Sequence, residues 1–455
     1  MTPSMVDASI GAGGRMKPAS LSKSMIGASL TSFLFTVLTF ASGVVLARCL
    51  GEAGRGQYGA AYFWAQFLIG FGSLSFFEAA IVRRDRDQPP ETYLSSMIAG
   101  AALLALAACG LFAAAAAGGL VTIPGVSTAS LVSFVAVCVV MSLLSRSMST
   151  VESMRHNFGL LNIERVFSPF IFVLICLAVA VSKTASVETV MAAFVASTLP
   201  LFLIRLHRFR AHLLAPLKTV FAAGALRLGA RFHVAATLTL VATQLDRLII
   251  VAAWSPERLG HYFVALSVAG AGLAVVSQAL GLMLLPMLSG VDGPVRRDRL
   301  ERLFRYTVLI TAAFVALVYL LAPSVVPLVY GAGFAQAAVY AQGLALAMAL
   351  TPLRAIVLEA NRSVARDRPG MEMALASLLV FLAVFAATRF TQAGDLFLAI
   401  GLSHLAAVIV GLRGPWKAGE LRLARALVPR PGDVSYLAGQ LFRYGRDALG
   451  GRGRR

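Results

Sequence analysis

The chain has 455 residues, of which 58% are hydrophobic and only 13% are charged, and its net charge is +19 at pH 7. Soluble domains carry about 25% charged residues, and the apolar residues here form blocks of about 20, the length that crosses a bilayer. This composition excludes a soluble globular protein. Most of the positive charge lies in short connectors and the C-terminal tail, which is typical of membrane topology, so nucleic acid is not an expected partner.

The apolar blocks predict an all-α polytopic membrane protein with about twelve transmembrane helices. The predicted helices cover residues 26–47, 58–82, 92–117, 126–146, 164–182, 187–206, 228–252, 260–287, 303–322, 336–358, 371–389 and 395–412. The predicted domains are a cytoplasmic N-terminal tail (1–25), a six-helix bundle (26–207), a cytoplasmic linker (208–227), a second six-helix bundle (228–412) and a basic cytoplasmic tail (413–455).

The distribution of Lys and Arg predicts the orientation of the chain. The two tails and every second loop hold 33 basic residues, whereas the intervening loops hold only Arg48, Arg55, Lys183, Arg258 and Arg389. By the positive-inside rule, both termini are expected in the cytoplasm and the number of helices is even. The expected location is the bacterial inner membrane. The polar start and the long first apolar block predict no cleaved signal peptide.

Two short segments indicate an internal repeat. The chain reads GQYGAAYFW around Tyr58 and GHYFVALSV around Tyr262, an offset of 204 residues. This offset predicts that helices 1–6 and 7–12 are parallel halves, a plan that places the binding site of a transporter between them.

Residues typical of catalysis are sparse. The sequence has no GxxxxGK[ST] motif and no recognisable Ser/His/Asp set, and its four cysteines form no CxxC pair. No cofactor or metal ion is therefore expected. The predicted loops on the non-cytoplasmic side are too short for the acceptor site of a polysaccharide polymerase or ligase, so the prediction is a protein that is not an enzyme.

Three ionisable residues inside predicted helices are the candidate site. Placing such residues in a bilayer costs free energy, and they usually face a cavity or a partner. Asp246 and Arg247 lie in helix 7. Either they form a buried ion pair with another helix that fixes packing, or Arg247 contacts an anionic substrate while Asp246 orients it or pairs with it. Arg354 follows Pro352, which is expected to kink helix 10, and either faces the cavity or extends toward the membrane surface.

Three segments of the chain resemble one transporter family. They are VLARCLGEAGRGQYGAAYFWAQFL (45–68), TQLDRLIIVAAWSPERLGHYFVALSVA (243–269) and LAPSVVPLVYGAGF (321–334). In this order they are similar to the polysaccharide transporter (O-antigen flippase, Wzx-like) family of the superfamily that also includes multidrug extrusion proteins. The residues that match the family pattern are Gly51, Tyr58, Gly59, Asp246, Arg247, Gly260 and Tyr262.

The resemblance implies two six-helix bundles arranged as a V, a MATE-like fold, around a cavity that opens alternately to each side. It implies a polyprenyl-pyrophosphate-linked oligosaccharide as substrate. The expected partners are this lipid-linked oligosaccharide, membrane lipids, and a polysaccharide polymerase or other assembly protein. The assignment of Arg247 and Arg354 to the substrate is a prediction from the residues themselves.

Three other functions stay open at this stage. A cation-coupled antiporter of the same fold would favour acidic residues in helices 1–6, where Glu78 is the main candidate. A lipid II flippase would be expected to have two more helices than the polar tail provides. A scaffold that assembles polysaccharide enzymes without transporting anything is the third alternative, and the basic tail could bind anionic lipids.

Overall fold

A computed structural model describes residues 18–85, 87–155, 157–288, 291, 293–364, 366, 368–430, 432–433 and 435. Most of the predicted N-terminal tail and the tail beyond Ser435 therefore lie outside the described residues.

Described residues form helices in the order predicted. They are α1 (Pro18–Gly72), α2 (Phe76–Arg83), α3 (Leu94–Ala117), α4 (Thr128–Met154), α5 (Phe158–Ser182), α6 (Val187–Leu213), α7 (Thr219–Ala253), α8 (Pro256–Leu288), α9 (Gly293–Tyr330), α10 (Ala335–Ala347), α11 (Thr351–Arg362), α12 (Arg368–Thr388), α13 (Ala393–Lys417) and α14 (Leu423–Leu427). We call α1–α6 the first half and α7–α13 the second half.

The number of membrane-crossing segments agrees with the sequence. Ten segments of the described chain are long and apolar enough to cross a bilayer, and one of them, Leu34–Arg83, has 50 residues, enough for two crossings. The 33-residue helix α8 adds a further segment of sufficient length. The predicted fold class, an all-α membrane protein with about twelve spans, is confirmed.

The first two predicted helices are joined by a bend instead of a loop. Helix α1 continues through Gly51, whose φ of 66° and ψ of −170° interrupt the helical geometry. Only glycine adopts this backbone region readily, because it has no Cβ. As a consequence Arg55, predicted to lie in a loop, lies on a helix.

Replacing Gly51 tests this bend. We expect Gly51→Ala to lower the stability by about 1–3 kcal/mol, the usual cost of a residue held in a sparsely populated backbone region. A Cβ at Gly51 would meet no atom within 4 Å, so the effect would come from the backbone alone. Thermal unfolding in detergent measures it. Gly110→Ala in α3, also without a neighbour within 4 Å, is the control and should not destabilise. Equal unfolding temperatures for Gly51→Ala and wild type would contradict the assignment.

In the second half one prediction is confirmed and one boundary differs. The expected kink in helix 10 is confirmed as a break, because α10 ends at Ala347 and α11 begins at Thr351 with Pro352 in its first turn. Helices α6 and α7 extend into the predicted linker and leave only residues 214–218 between them. The proposed domain division itself stays a prediction.

The halves meet most closely where α1 crosses α8, which we call the α1–α8 crossing. A Cβ on Gly56 would lie 1.8 Å from the carbonyl oxygen of Pro256, and a Cβ on Gly260 would lie 2.0 Å from that of Glu52. Positions 52 and 256 are 204 residues apart, and so are positions 56 and 260. This is the same offset that indicated the internal repeat. The contact is thus reciprocal, as expected for two related halves packed around a pseudo-two-fold axis.

Polar contacts reinforce this end of the molecule. His261 Nε2 lies 3.2 Å from Glu52 Oε2, across the two halves. Arg48 in α1 donates to the carbonyl oxygens of Leu328 and Val329, near the end of α9, over 2.5 and 2.7 Å. We call this end the closed face and the other end, where the Arg-rich connectors lie, the basic face.

At the basic face the start of the C-terminal tail is fixed to the second half. Arg305 Nε donates to Asp433 Oδ2 over 2.7 Å, and Arg366 Nη2 donates to Glu420 Oε1 over 2.8 Å. Burial opposes ionisation of Asp433, but hydrogen bonds from the Arg430 N–H and from Arg305 outweigh burial and lower the pKa of this carboxyl. The first part of the tail is therefore a structural element of the bundle.

Candidate functional site

The two arginines that the sequence predicts as site residues face the same cavity. Arg247 on α7 and Arg354 on α11 line a space of about 320 Å³ inside the second half, together with Asp246. We call it the second-half cavity. Its other lining residues come from α7, α8, α10–α11, α12 and α13: Thr239, Ala242, Thr243, Leu266, Ser277, Met348, Thr351, Ala355, Leu358, Phe381, Ile400, Ser403 and His404.

Asp246 and Arg247 have different surroundings. The hydroxyl of Tyr262 on α8 donates a hydrogen bond to Asp246 Oδ2, and Arg247 Nε lies 3.9 Å from the same oxygen. Arg247 Nη1 donates to Gln244 Oε1 over 2.5 Å, while its buried Nε has no hydrogen-bond partner among the described residues. Asp246 therefore ties α7 to α8 and holds Arg247, whose guanidinium retains donor capacity toward the cavity.

Arg354 is positioned by the break between α10 and α11. In a continuous helix the direction of its side chain would follow the helical repeat of α10. Instead the helix breaks and α11 begins, with Pro352 in its first turn. Its closest polar contact is weak, since Nη1 lies 3.4 Å from Ser377 Oγ. Opposite it, His404 Nε2 lies 3.5 Å from Thr351 Oγ1. The structure thus places Arg354 on the cavity wall.

A smaller space lies between the halves. It measures about 240 Å³ and is lined by α1, α7 and α8. We call it the passage. Arg247 lines both the passage and the second-half cavity, and Arg55 projects into the passage from α1. Gln66, Gln244 and Ser267 supply its uncharged polar groups.

A third space lies inside the first half, between α1, α5 and α6. It measures about 370 Å³ and shares Arg55 and Tyr62 with the passage. We call it the first-half pocket. Its lining residues are Phe35, Thr39, Ser42, Gly43, Leu46, Arg55, Tyr58, Tyr62, Arg165, Ser168, Pro169, Phe172, Phe194, Ser197 and Thr198.

The charged residues that line these three spaces are mostly basic. Their described lining includes Arg55, Arg165, Arg247 and Arg354 but a single carboxylate, that of Asp246. Guanidinium groups form bidentate hydrogen bonds with phosphate and carboxylate oxygens. The three spaces together can therefore hold an anionic ligand with more than one charged group.

Sequence reasoning missed two of these arginines. It counted Arg55 among the loop residues, and it chose neither Arg55 nor Arg165 as a candidate site residue. The signal that could have found Arg55 is Gly51, because a glycine bend lets helical structure continue through the segment.

Acidic residues of the first half were also undercounted. Glu78 is exposed, whereas Glu152 in α4 and Glu164 in α5 are buried. Both are paired, since Arg208 Nε lies 3.3 Å from Glu152 and Arg205 Nη2 donates to Glu164. Glu78 itself pairs with Arg146 over 2.6 Å.

The helical architecture has counterparts among solved membrane proteins. Lipid II flippase MurJ in an inward closed conformation superposes with a TM-score of 0.72 at 12% identity, covering 88% of this chain and 89% of that one. An inward-facing multidrug resistance MATE family transporter gives a TM-score of 0.66 at 13% identity, with 85% and 94% covered. A MOP superfamily transporter from Pyrococcus furiosus, whose binding pocket is described as having reverse polarity, gives 0.54 at 14% identity, with 87% and 96% covered.

These likenesses define the fold as that of MurJ and the MATE transporters. The sequence profile of the family described as "Polysaccharide biosynthesis protein" matches residues 45–339, more than half of the chain. The chain belongs to this polysaccharide biosynthesis protein family. A search of curated protein sequences finds no match.

Proposed function

We propose that the protein is a flippase that carries polyprenyl-pyrophosphate-linked oligosaccharide across the bacterial inner membrane for synthesis of O-antigen, exopolysaccharide or capsule. The observation that carries this proposal is the set of three neighbouring spaces, which share lining residues and are lined by four arginines and one carboxylate. A pyrophosphate does not enter hydrocarbon unaided, because transfer of a charge into a low dielectric is strongly unfavourable. Guanidinium groups replace the lost hydration inside the protein.

The packing supports a mechanism of alternating access. In our proposal the basic face is cytoplasmic, in accordance with the positive-inside rule. The α1–α8 crossing then shuts the cavity on the outer side, and a head group enters from the cytoplasm while its lipid tail stays in the bilayer. Outward opening requires separation of Gly56 from Pro256 and of Glu52 from His261. Both contacts lie between the two halves. In the proposed mechanism, opening therefore moves each half as a unit away from the other.

The antiporter alternative is less well supported. It needs acidic groups that can exchange cations or protons inside a cavity. Among the described lining residues the only such group is Asp246, which accepts a hydrogen bond from Tyr262 and lies beside Arg247.

A flipping assay tests the proposal. Purified protein in proteoliposomes with a fluorescent polyprenyl-pyrophosphate oligosaccharide should raise the rate at which label crosses the bilayer, measured with a membrane-impermeant quencher. We expect Arg247→Gln and Arg354→Gln each to slow flipping about 10-fold or more, because a hydrogen bond to a charged group contributes about 1.5–3 kcal/mol. Exposed Arg413 at the end of α13 provides the control variant Arg413→Gln.

Two outcomes would contradict different parts of the proposal. If folded wild-type protein flips no polyprenyl-linked sugar, the flippase function is wrong. If flipping occurs and neither Arg247→Gln nor Arg354→Gln slows it, the function stands and the assignment of these arginines to the pyrophosphate is wrong.

A further inference from the structure

The second half carries a groove on its outer side, between α9 and the break that separates α10 from α11. The groove has a volume of about 710 Å³, and among the described residues none lines both this groove and one of the three spaces above. We call it the outer groove. Tyr319, Leu320 and Leu346 on its walls are more than half exposed, so the groove opens toward the bilayer. Its lining residues are Val308, Thr311, Ala312, Val315, Ala316, Tyr319, Leu320, Leu346, Ala349, Leu350, Leu353 and Leu427.

The outer groove has the length and the polarity of a lipid chain. Its α9 wall runs from Val308 to Leu320, a helical rise of about 18 Å, and the hydrocarbon of one leaflet is about 15 Å thick. Among its described lining residues only Thr311 and Tyr319 have a polar side-chain atom. Because the bilayer interior is as apolar as the groove, the groove can hold a chain but cannot by itself select one lipid over another. Selection requires polar groups at an end of the groove.

Helix α14 lies at the basic end of the outer groove. Its last residue, Leu427, lines the groove. The backbone N–H of Arg422 donates to Glu301 Oε1 over 3.2 Å, and Arg305 Nη1 donates to the carbonyl oxygen of Arg425 over 3.0 Å. Both acidic and basic partners belong to α9, and the groove begins about one helical turn beyond Arg305. These contacts fix the backbone of α14 against the end of the groove.

The side chains of this fixed segment are basic and apolar. Arg422 and Arg425 are exposed, and neither guanidinium has a hydrogen bond or an ion pair with another described residue. They are three residues apart, so their side chains are neighbours on the surface of the helix. Leu427 and Val428 are exposed next to them, and exposed Trp416 ends the preceding helix, α13, with Lys417. Exposed Trp beside basic residues is typical of the level of the lipid head groups.

We propose that the outer groove binds an anionic phospholipid from the leaflet at the basic face, with an acyl chain in the groove and the phosphate between Arg422 and Arg425. Guanidinium groups bind phosphate oxygens through paired hydrogen bonds. Two basic residues at the membrane surface favour an anionic over a zwitterionic lipid by about 10-fold or more. The bound lipid joins α9, α11 and α14 on the side that faces the bilayer. This site is additional to the proposed function and does not depend on it.

The position of the groove separates this lipid from the proposed substrate. Leu353 and Arg354 are adjacent on α11, yet Leu353 lines the outer groove and Arg354 lines the second-half cavity. Adjacent residues of a helix point about 100° apart, so α11 forms a wall between the two spaces. A lipid with its head group at Arg354 would have to pass its chain around α11 to reach the groove. The geometry therefore favours a resident phospholipid over the substrate lipid.

Quenching of tryptophan fluorescence by brominated lipids tests the site. Tyr319→Trp, in a chain whose Trp64, Trp254 and Trp416 are replaced by Phe, places a single reporter in the groove. The protein is reconstituted in phosphatidylcholine nanodiscs that contain a small fraction of phosphatidylglycerol or phosphatidylcholine with brominated acyl chains. Brominated phosphatidylglycerol should quench the reporter at about 10-fold lower content than brominated phosphatidylcholine.

Matched variants separate the site from general attraction to the basic face. Arg422→Gln together with Arg425→Gln should remove the preference for phosphatidylglycerol. Arg210→Gln together with Arg413→Gln removes two exposed arginines at the ends of α6 and α13 and should keep it. A reporter at Leu379→Trp, an exposed position of α12 outside the groove, should be quenched equally by both lipids. Quenching by brominated phosphatidylcholine should be the same in every arginine variant, which verifies that the groove is intact.

Three results would overturn the site. They are equal quenching of the Tyr319→Trp reporter by the two lipids, a preference that survives Arg422→Gln with Arg425→Gln, and an equal preference at Leu379→Trp. Unlabelled polyprenyl pyrophosphate should relieve the quenching no better than the same amount of unlabelled phosphatidylglycerol. If it is more effective, the groove belongs to the substrate lipid and the inference is wrong. The measurement involves no transport, so its outcome is independent of the flipping assay.

Discussion

Gly56→Ala is expected to stop transport almost completely while the protein remains folded. A Cβ at this position would lie 1.8 Å from the carbonyl oxygen of Pro256 and 2.8 Å from the amide nitrogen of Gly260. Both are backbone atoms, so the helices themselves must move apart, at a cost of about 3 kcal/mol for overpacking of this kind. In the proposed mechanism the α1–α8 crossing exists only when the closed face is shut, so this cost shifts the population about 100-fold toward the open form.

Two measurements check this prediction. The flipping assay gives the rate, and labelling of a single cysteine, Ser267→Cys, with an impermeant maleimide from the closed face reports access to the passage. The four native cysteines would be replaced by alanine for this purpose. Ser267 lines the passage, so its substitute should be protected in wild type and labelled in the Gly56→Ala background.

The repeat provides a second, independent variant. Gly260 stands 204 residues after Gly56, and a Cβ on it would lie 2.0 Å from the carbonyl oxygen of Glu52. Gly260→Ala should therefore have the same two effects. Gly394→Ala in α13 is the control, since no atom lies within 4 Å of that Cβ. If the Gly56→Ala and Gly260→Ala variants both flip substrate at the wild-type rate, the α1–α8 crossing is not a gate.

Much of the fold is encoded locally and could be predicted. Bilayer-length apolar blocks determine where helices cross, and the alternation of basic connectors is a property of the sequence alone. The break before Thr351 was predictable for the same reason, since Pro352 cannot continue a helix hydrogen-bond ladder. The bend at Gly51 was missed because glycine is common both in loops and within membrane helices.

The candidate site was only partly predictable. Arg247 and Arg354 were found because a charge in the middle of an apolar block is unusual. That they face one cavity depends on how α7 and α11 are arranged around the interior of the second half, which no local pattern specifies. Arg55 and Arg165 were not predicted as site residues. Hydropathy indicates that a residue lies near a helix end, but it does not indicate which way its side chain points.

Arg296 was also assigned to topology, yet the structure buries its side chain almost fully, with 1% exposed. Its Nη1 donates to the carbonyl oxygen of Leu288 over 3.0 Å, and its Nη2 donates to that of Ala360 over 2.8 Å. Nη2 also donates to Ser363 Oγ over 2.9 Å, and Nε lies 3.2 Å from Glu420 Oε2. One guanidinium thus joins α8, α11 and the start of the tail at the basic face.

We expect Arg296→Ala to lower the stability of the protein by about 3 kcal/mol, because the carbonyl oxygens of Leu288 and Ala360 lose a charged donor and Glu420 keeps only Arg366 as its ion-pair partner. Thermal unfolding in detergent measures the loss. Arg302→Ala is the matched control, since Arg302 forms a surface ion pair with Asp298 and such pairs contribute about 0–1 kcal/mol. Arg296→Lys should recover little, because one ammonium cannot reproduce the guanidinium fork.

A double substitution separates the ion pair from the rest of the network. Glu420 pairs with both Arg296 and Arg366, and Glu420→Gln keeps the shape of the side chain but removes its charge. In the Arg296→Ala background it should therefore cost less stability than in wild type, because only the ion pair with Arg366 is left to lose. If Arg296→Ala unfolds at the same temperature as Arg302→Ala, the tail does not depend on Arg296. The start of the tail must then be held by its other contacts, among them those of Arg305, Arg366 and Arg297.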